Sequence, residues 1–251
     1  MSIALVDLET GAEAFVCADE RVHAASTFKL AVLMAVHRLA AAGKLRLDEP
    51  IAVQNRFASL VGGSEFAVGE EELDHWTHAQ LGRSVALSAL LERMIVPSGN
   101  LATNLVLRRV TPEVVTSVCG ELGADVQVLR GVEDEAAHTR GWDNTVTARG
   151  LVTLLRAIAE GRVPGTQEMI ELLERAQPRD GIPAGVPAGT RVAHKTGRIT
   201  GHAHDAALVF PPERRPYAIA VLTRGFARDS DAFGAVRTIS RLVWECLIES
   251  P

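Results

Sequence analysis

Ser26 and Lys29 stand three residues apart in Ser26-Thr27-Phe28-Lys29. On a helix that interval puts two side chains on one face, one turn above the other. A serine hydroxyl is a weak nucleophile until a neighbouring base takes its proton. A lysine drawn into apolar surroundings has its charged form disfavoured and can be that base. Of the 26 basic residues only Lys29, Lys44 and Lys195 are lysines, the rest being arginine. Arginine carries surface charge but does not release its proton at ordinary pH, so lysine is kept where an amine is needed.

Two further groups have matching chemistry. Ser98-Gly99-Asn100 falls in the break that Pro97 makes between two predicted helices, where a hydroxyl and a carboxamide can enter one cleft. Lys195-Thr196-Gly197 falls on a predicted strand, its glycine allowing a substrate close to the backbone.

The elements that must position these groups are legible in the hydrophobic pattern. Residues 2–7 and 13–17, joined by Glu9-Thr10-Gly11, predict a hairpin. Ser26 opens a predicted helix to Ala42 with Gly43 as its stop. Its run Leu30 to Val36 is apolar on every side, as a helix at the centre of a fold must be. Residues 54–82 read as a long surface excursion. Leu87, Leu90, Leu91, Met94 and Ile95 follow the i, i+3, i+4, i+7, i+8 pattern of a helix. Further helices are predicted over 100–109, 112–121, from a Thr147 cap to Glu160, and from Thr166 to Ala176. Residues 124–146 show no period and read as a loop, and 181–189 as a Pro/Gly linker. Strands over 191–196, 203–210 and 217–223 and an amphipathic helix near 230–248 close the chain. The expectation is an α+β fold with one antiparallel five-stranded sheet built from both chain ends. A single domain over 1–251 is expected, its sheet lobe about 1–25 and 181–251, with a helical lobe about 26–180 inserted.

The three groups, in this chain order and on these elements, resemble the S-x-x-K, S-x-N and K-T-G motifs of class A β-lactamases and penicillin-binding proteins. The resemblance extends to Leu90-Leu91-Glu92-Arg93-Met94-Ile95 before the second motif, Asn100-Leu101-Ala102-Thr103-Asn104-Leu105 after it, and Ala206-Ala207-Leu208-Val209-Phe210-Pro211-Pro212. It implies that Ser26 is the acylated nucleophile, Lys29 its activating amine and Ser98 the relay to the leaving nitrogen. It further implies that Lys195 sets the electrostatics of that relay, Asn100 binds a substrate amide and Thr196 a substrate carboxylate. Gly197 and Arg198 line the same edge, with the N–H groups of Ser26 and Arg198 as oxyanion donors. Glu133, 33 residues after Asn100, stands close to the family's deacylating glutamate. Asn104 stands where the family pins that glutamate's loop.

The chain also departs from the family. Gly131 and Ala137 stand where the loop has an arginine and an asparagine, Asn144 where an aspartate closes it, and the segment is about two residues short. The loop's internal ion pair and second water ligand are therefore expected to be missing. Gly99 replaces a common aspartate. The arginine often found on the strand after K-T-G is Ala203, with Arg198, His202 or Arg224 as stand-ins.

Other classes are excluded or weakened. With 47% apolar and 23% charged residues and a net charge of −5 from interspersed signs, neither disorder nor nucleic-acid binding is expected. No apolar stretch is long enough to span a bilayer. Met1 to Asp7 read as a strand and not a signal sequence, so the protein is cytoplasmic or exported with a leader missing here. Cys17, Cys119 and Cys246 are expected to be buried free thiols. His202-Ala203-His204-Asp205 and Asp74-His75 with His78 do not match metallo-hydrolase spacing, so neither metal nor cofactor is expected. A P-loop is excluded because His194 precedes Lys195, and no G-x-S-x-G elbow is present. The expected substrate is a small molecule, a β-lactam or an acyl-D-Ala-D-Ala-like peptide, and a monomer is expected. The function expected is β-lactam hydrolysis through an acyl-enzyme. A D-alanyl-D-alanine peptidase or esterase, or a sensor that stays acylated, are the alternatives.

Overall fold

The computed structural model describes residues 1–72 and 74–249, and in it the two ends of the chain meet in one sheet. Strand β1 (Ser2–Asp7) reverses into β2 (Glu13–Val16) through a turn in which Gly11 takes φ +78° and the Thr10 hydroxyl donates to Asp7 Oδ2 at 2.6 Å. Strands β3 (Arg191–Ile199), β4 (His202–Phe210) and β5 (Tyr217–Leu222) come from the other end. Their order is β3-β4-β5-β1-β2, antiparallel throughout. The fold is α+β, as the pattern predicts.

Between β2 and β3 lie six helices that position the site. They are α1 (Lys29–Ala41), α2 (Leu87–Ile95), α3 (Asn100–Val110), α4 (Pro112–Glu121), α5 (Ala148–Ala159) and α6 (Thr166–Glu174). After β5, α7 (Asp229–Trp244) packs on the opposite face of the sheet. Every residue from Leu30 to Val36 is buried, so α1 is enclosed on all sides. Ala4, Val6, Ala206, Leu208, Ala218 and Ala220 turn one sheet face to this helical body. Leu5, Ala207, Val209, Ile219 and Val221 turn the other face to Val236 and Trp244 of α7.

Four expectations need correction. The α-helix begins at Lys29: Ser26 lies in a preceding 3-10 turn, Ala25–Phe28, entered through Ala25 at φ +45°. The spacing argument survives, because a 3-10 turn has three residues and eclipses positions i and i+3. Residues 54–82 are not merely a surface excursion, since Phe57, Val68, Asp74 and Thr77 are buried and Phe57-Ala58 pairs with Glu65-Phe66. The 124–146 segment is not without structure either. Val126-Gln127 and Thr145-Val146 form a small sheet with Val22-His23, and Glu135–Thr139 is a helical turn. Of the cysteines only Cys119 is buried; Cys17 and Cys246 are exposed.

Candidate active site

The 3-10 turn carrying Ser26 is pressed against β3. A Cβ on Gly197 would lie 2.8 Å from Ser26 N and 3.0 Å from Thr27 N, so only glycine admits this approach. The group that comes close to this glycine is therefore the chain's own Ser26 turn, rather than a substrate as the sequence suggests. Lys29, on the first turn of the enclosed helix, is fully buried. Its Nζ donates to Ser98 O at 2.6 Å, to Asn100 Oδ1 at 3.0 Å and to Ser98 Oγ at 3.2 Å. Among the described residues no hydrogen bond joins Lys29 Nζ to Ser26 Oγ. Such links often tighten only once substrate is bound.

Ser98 links helix α1 to strand β3. Its Oγ also accepts from Lys195 Nζ at 3.0 Å, which places two amines on one hydroxyl. Burial, and then the neighbouring Lys195, hold the Lys29 amine well below the usual lysine range, against the pull of Glu72, Asp74 and Glu133. Burial pushes Lys195 down to about 8, with Asp205 opposing. Ser98 sits at φ +64° and Glu133 at φ +69°. Each such position costs on the order of 1–3 kcal/mol and persists only where the surroundings impose it, as at functional sites.

Asn100 connects the amine to the carboxylate. Lysine offers only donors, so the oxygen of Asn100 must face Lys29, and its Nδ2 then donates to Glu133 Oε1 at 3.0 Å. The other carboxylate oxygen of Glu133 accepts from Gly69 N at 2.8 Å. Asn104 holds the Glu133 loop as the sequence predicts, accepting from Val132 N at 2.7 Å and donating to Val132 O at 2.9 Å.

Several departures from the family pattern are resolved by neighbours. The expected loss of the loop's ion pair is wrong: Arg130 and Asp143, each one position before the aligned residues, pair at 2.8 Å. Asn144 closes the loop through neutral bonds, its Oδ1 accepting from Leu129 N at 2.8 Å and Arg130 N at 3.0 Å. At Gly131 a Cβ would stand 2.7 Å from Phe66 Cζ, so the ring would have to move to admit a side chain. A Cβ on Gly99 would stand 2.7 Å from Asp74 Cβ. The volume next to the second motif is thus filled by a carboxylate from elsewhere in the chain, one that accepts from the Thr77 hydroxyl. Glu72 accepts from the N–H groups of Asn100 and, at 3.1 Å, Leu101, and so satisfies the first turn of α3. No motif signals Gly69, Glu72 or Asp74.

A cavity of about 640 Å³ opens beside Ser26, lined by Asn100, Glu133, His23, Arg198 and His202 among others. Of the possible stand-ins for the strand arginine, Arg198 and His202 face this cavity, while Arg224 pairs with Glu20 at 2.7 Å. Thr196 is buried and does not line it. His23, His138 and Asp143 bring donor atoms within 4.8 Å of one another. Their wiring is that of an ion-pair network. Asp143 Oδ1 is shared by Arg130 and His138, while His23 accepts from Ala25 N at Nδ1 and stands with Nε2 3.4 Å from the Arg130 guanidinium. His204 is similarly committed: Nδ1 accepts from Thr223 N, Nε2 donates to His23 O, and burial pushes its pKa down to about 4. His78 Nε2 is bonded to Glu72.

The sheet, the enclosed helix and the Ser26 turn that it carries define the fold of the β-lactamases. A variant of the last common ancestor of Gram-negative class A β-lactamases superposes with a TM-score of 0.83 at 27% identity, covering 100% of this chain and 93% of that one. The family model described as Beta-lactamase enzyme family matches residues 1–247, and the chain belongs to that family. The β-lactamase AST-1 of Nocardia asteroides is 29% identical over 244 residues, 94% of this chain and 75% of that protein. The β-lactamase of Bacillus licheniformis is 32% identical over 162 residues, 61% of this chain and 53% of that protein, so the match spans about half of that relative. Among the described residues no helix is long and apolar enough to cross a membrane.

Proposed function

We propose that the chain hydrolyses β-lactam amides in two steps through an ester on Ser26. Lys29 in its unprotonated form takes the hydroxyl proton as Ser26 Oγ bonds to the lactam carbonyl carbon. The carbon–nitrogen bond breaks, and the nitrogen receives a proton through Ser98. The N–H groups of Ser26 and Arg198 face the oxyanion, Asn100 the substrate amide, and Arg198, which lines the cavity, the substrate's carboxylate edge. Water then adds to the ester carbon while Glu133 takes its proton. The bond to Ser26 Oγ breaks, the oxygen regains a proton, and one water has been consumed.

The observation supporting this reading is the bridge Lys29–Ser98–Lys195, continued by Asn100 to Glu133. Three acceptors around Lys29 Nζ satisfy an ammonium. Once that nitrogen is unprotonated, its lone pair can receive a proton from a hydroxyl, which is the state acylation needs.

Ala137, where the family's loop has an asparagine, favours a second reading: acylation with little β-lactam turnover, as in a D-Ala-D-Ala peptidase or a sensor. Turnover of a chromogenic cephalosporin, followed beside intact-protein mass after addition of a penicillin, separates the two. Steady turnover is expected, with a mass adduct that persists in Glu133→Ala and is absent in Ser26→Ala. A single stoichiometric burst in the unaltered chain, or turnover of D-Ala-D-Ala peptides alone, would overturn the β-lactamase reading.

A further inference from the structure

The segment 54–72 reaches the loop that carries Glu133 at four points. Ser59 Oγ and Leu60 N donate to the two carboxylate oxygens of Asp134, at 2.7 and 3.2 Å. The Phe66 ring stands over Gly131, its Cζ 2.7 Å from where a Cβ on that residue would lie. Gly69 N donates to Glu133 Oε2 at 2.8 Å. Asn55 fixes the residue before Gly69 by both of its backbone groups, donating to Val68 O at 2.7 Å and accepting from Val68 N at 2.8 Å. The Gly69 N–H is therefore held in place by a clamp of its own.

Glu133 has two carboxylate oxygens and two donors, and these fix its plane: Asn100 Nδ2 on Oε1 and Gly69 N on Oε2. Neither donor comes from the loop on which Glu133 sits. Ala137, at the loop position where an asparagine would assist, offers no polar side chain. A carboxylate that must present one lone pair to a water needs its remaining directions occupied, since a small rotation removes the water from line. We propose that the segment 54–72 is the positioning element for Glu133, with the N–H of Gly69 orienting its carboxylate for ester hydrolysis.

This rests on the reading of Glu133 as the deacylating base, and the test keeps the two separable. Gly69→Pro removes the N–H. Gly69→Ala retains it, and the added Cβ would stand 3.7 Å from Glu133 Oε2, an ordinary contact. Asn55→Ala releases Val68 without touching Gly69. Acylation and ester hydrolysis are followed separately by rapid mixing and by time-resolved intact mass with a penicillin. In Gly69→Pro hydrolysis is expected to fall about 10- to 100-fold with acylation within about threefold, so that kcat and KM drop together and kcat/KM is kept. Gly69→Ala is expected to recover hydrolysis to within about threefold, and Asn55→Ala to lie between the two.

A folded Gly69→Pro that hydrolyses its ester at the unaltered rate overturns the proposal. Equal losses in Gly69→Ala and Gly69→Pro do so too, since packing and not the N–H would then be responsible. Should Gly69→Pro not fold, Asn55→Ala decides: unchanged hydrolysis overturns the proposal, and a selective loss supports it. Glu133→Gln is the reference. If it accumulates no ester, the deacylation reading itself fails; if it does and the Gly69 and Asn55 variants do not, only the role of Gly69 is lost.

Discussion

Ser98 Oγ accepts a hydrogen bond from Lys195 Nζ at 3.0 Å, although 97 residues separate the two in the chain. The same oxygen accepts from Lys29, so one hydroxyl stands between two buried amines, one from each side of the cleft. Like charges this close disfavour one another, and the Lys29 amine is depressed partly for that reason. On the proposed mechanism, this arrangement would let Lys29 take a proton while Lys195 supplies positive potential.

The rate of acylation should therefore depend on pH through both lysines. It is expected to rise on the acid side as Lys29 gives up its proton, and to fall above pH about 8, where Lys195 loses its charge. Lys195→Arg keeps its charge beyond pH of about 12, so the alkaline limb should move out of range even as the maximum rate drops. Second-order acylation constants across pH measure this. An alkaline limb unmoved in Lys195→Arg would remove Lys195 from the account.

Gly197→Ala tests the fit of the Ser26 turn against β3. The new Cβ would meet backbone nitrogens at 2.8 and 3.0 Å, which cannot rotate away as a side chain can, so the strand and the turn must separate. A displacement on the order of 1 Å in such a site costs about 100-fold in rate. The expected result is an acylation constant lower by about that factor, with the helical core intact by thermal melting. Acylation within twofold of the unaltered chain would show that the close approach is incidental.

Restoring the aspartate that the second motif lacks should be harmful on its own. In Gly99→Asp the added side chain enters the volume of Asp74, and two carboxylates would share one buried space. Overpacking alone costs about 1–3 kcal/mol. Removing Asp74 as well, in Gly99→Asp with Asp74→Gly, is expected to recover most of that loss. Denaturant midpoints of the two single variants and the double variant form the cycle. Additive losses would mean that the two positions do not compete for space.

The parts of the site that were legible in the sequence are those in which chemistry and spacing are local. Ser26 with Lys29, Ser98 with Asn100, and Lys195 with Gly197 each fall within one turn or one strand, where geometry follows from the interval alone. The burial of α1 was legible for a similar reason: an apolar run on all faces has no stable place but the interior. Counting intervals failed in the Glu133 loop, where the ion pair falls at Arg130 and Asp143 and not at Gly131 and Asn144. An irregular backbone has no period, so a shift of one position leaves no trace in the sequence.

The amino-acid sequence by itself determined the α+β class, the three-residue spacing of Ser26 and Lys29, and the two lysines kept among so many arginines. Only the tertiary structure decided that Ser98 joins those lysines, that Asp74 fills the space at Gly99, and that Gly69 reaches Glu133. The reason is physical. Periodicity encodes which face of an element is apolar, but backbone N–H groups and the volumes between distant residues carry no residue-specific signal until packing brings them together.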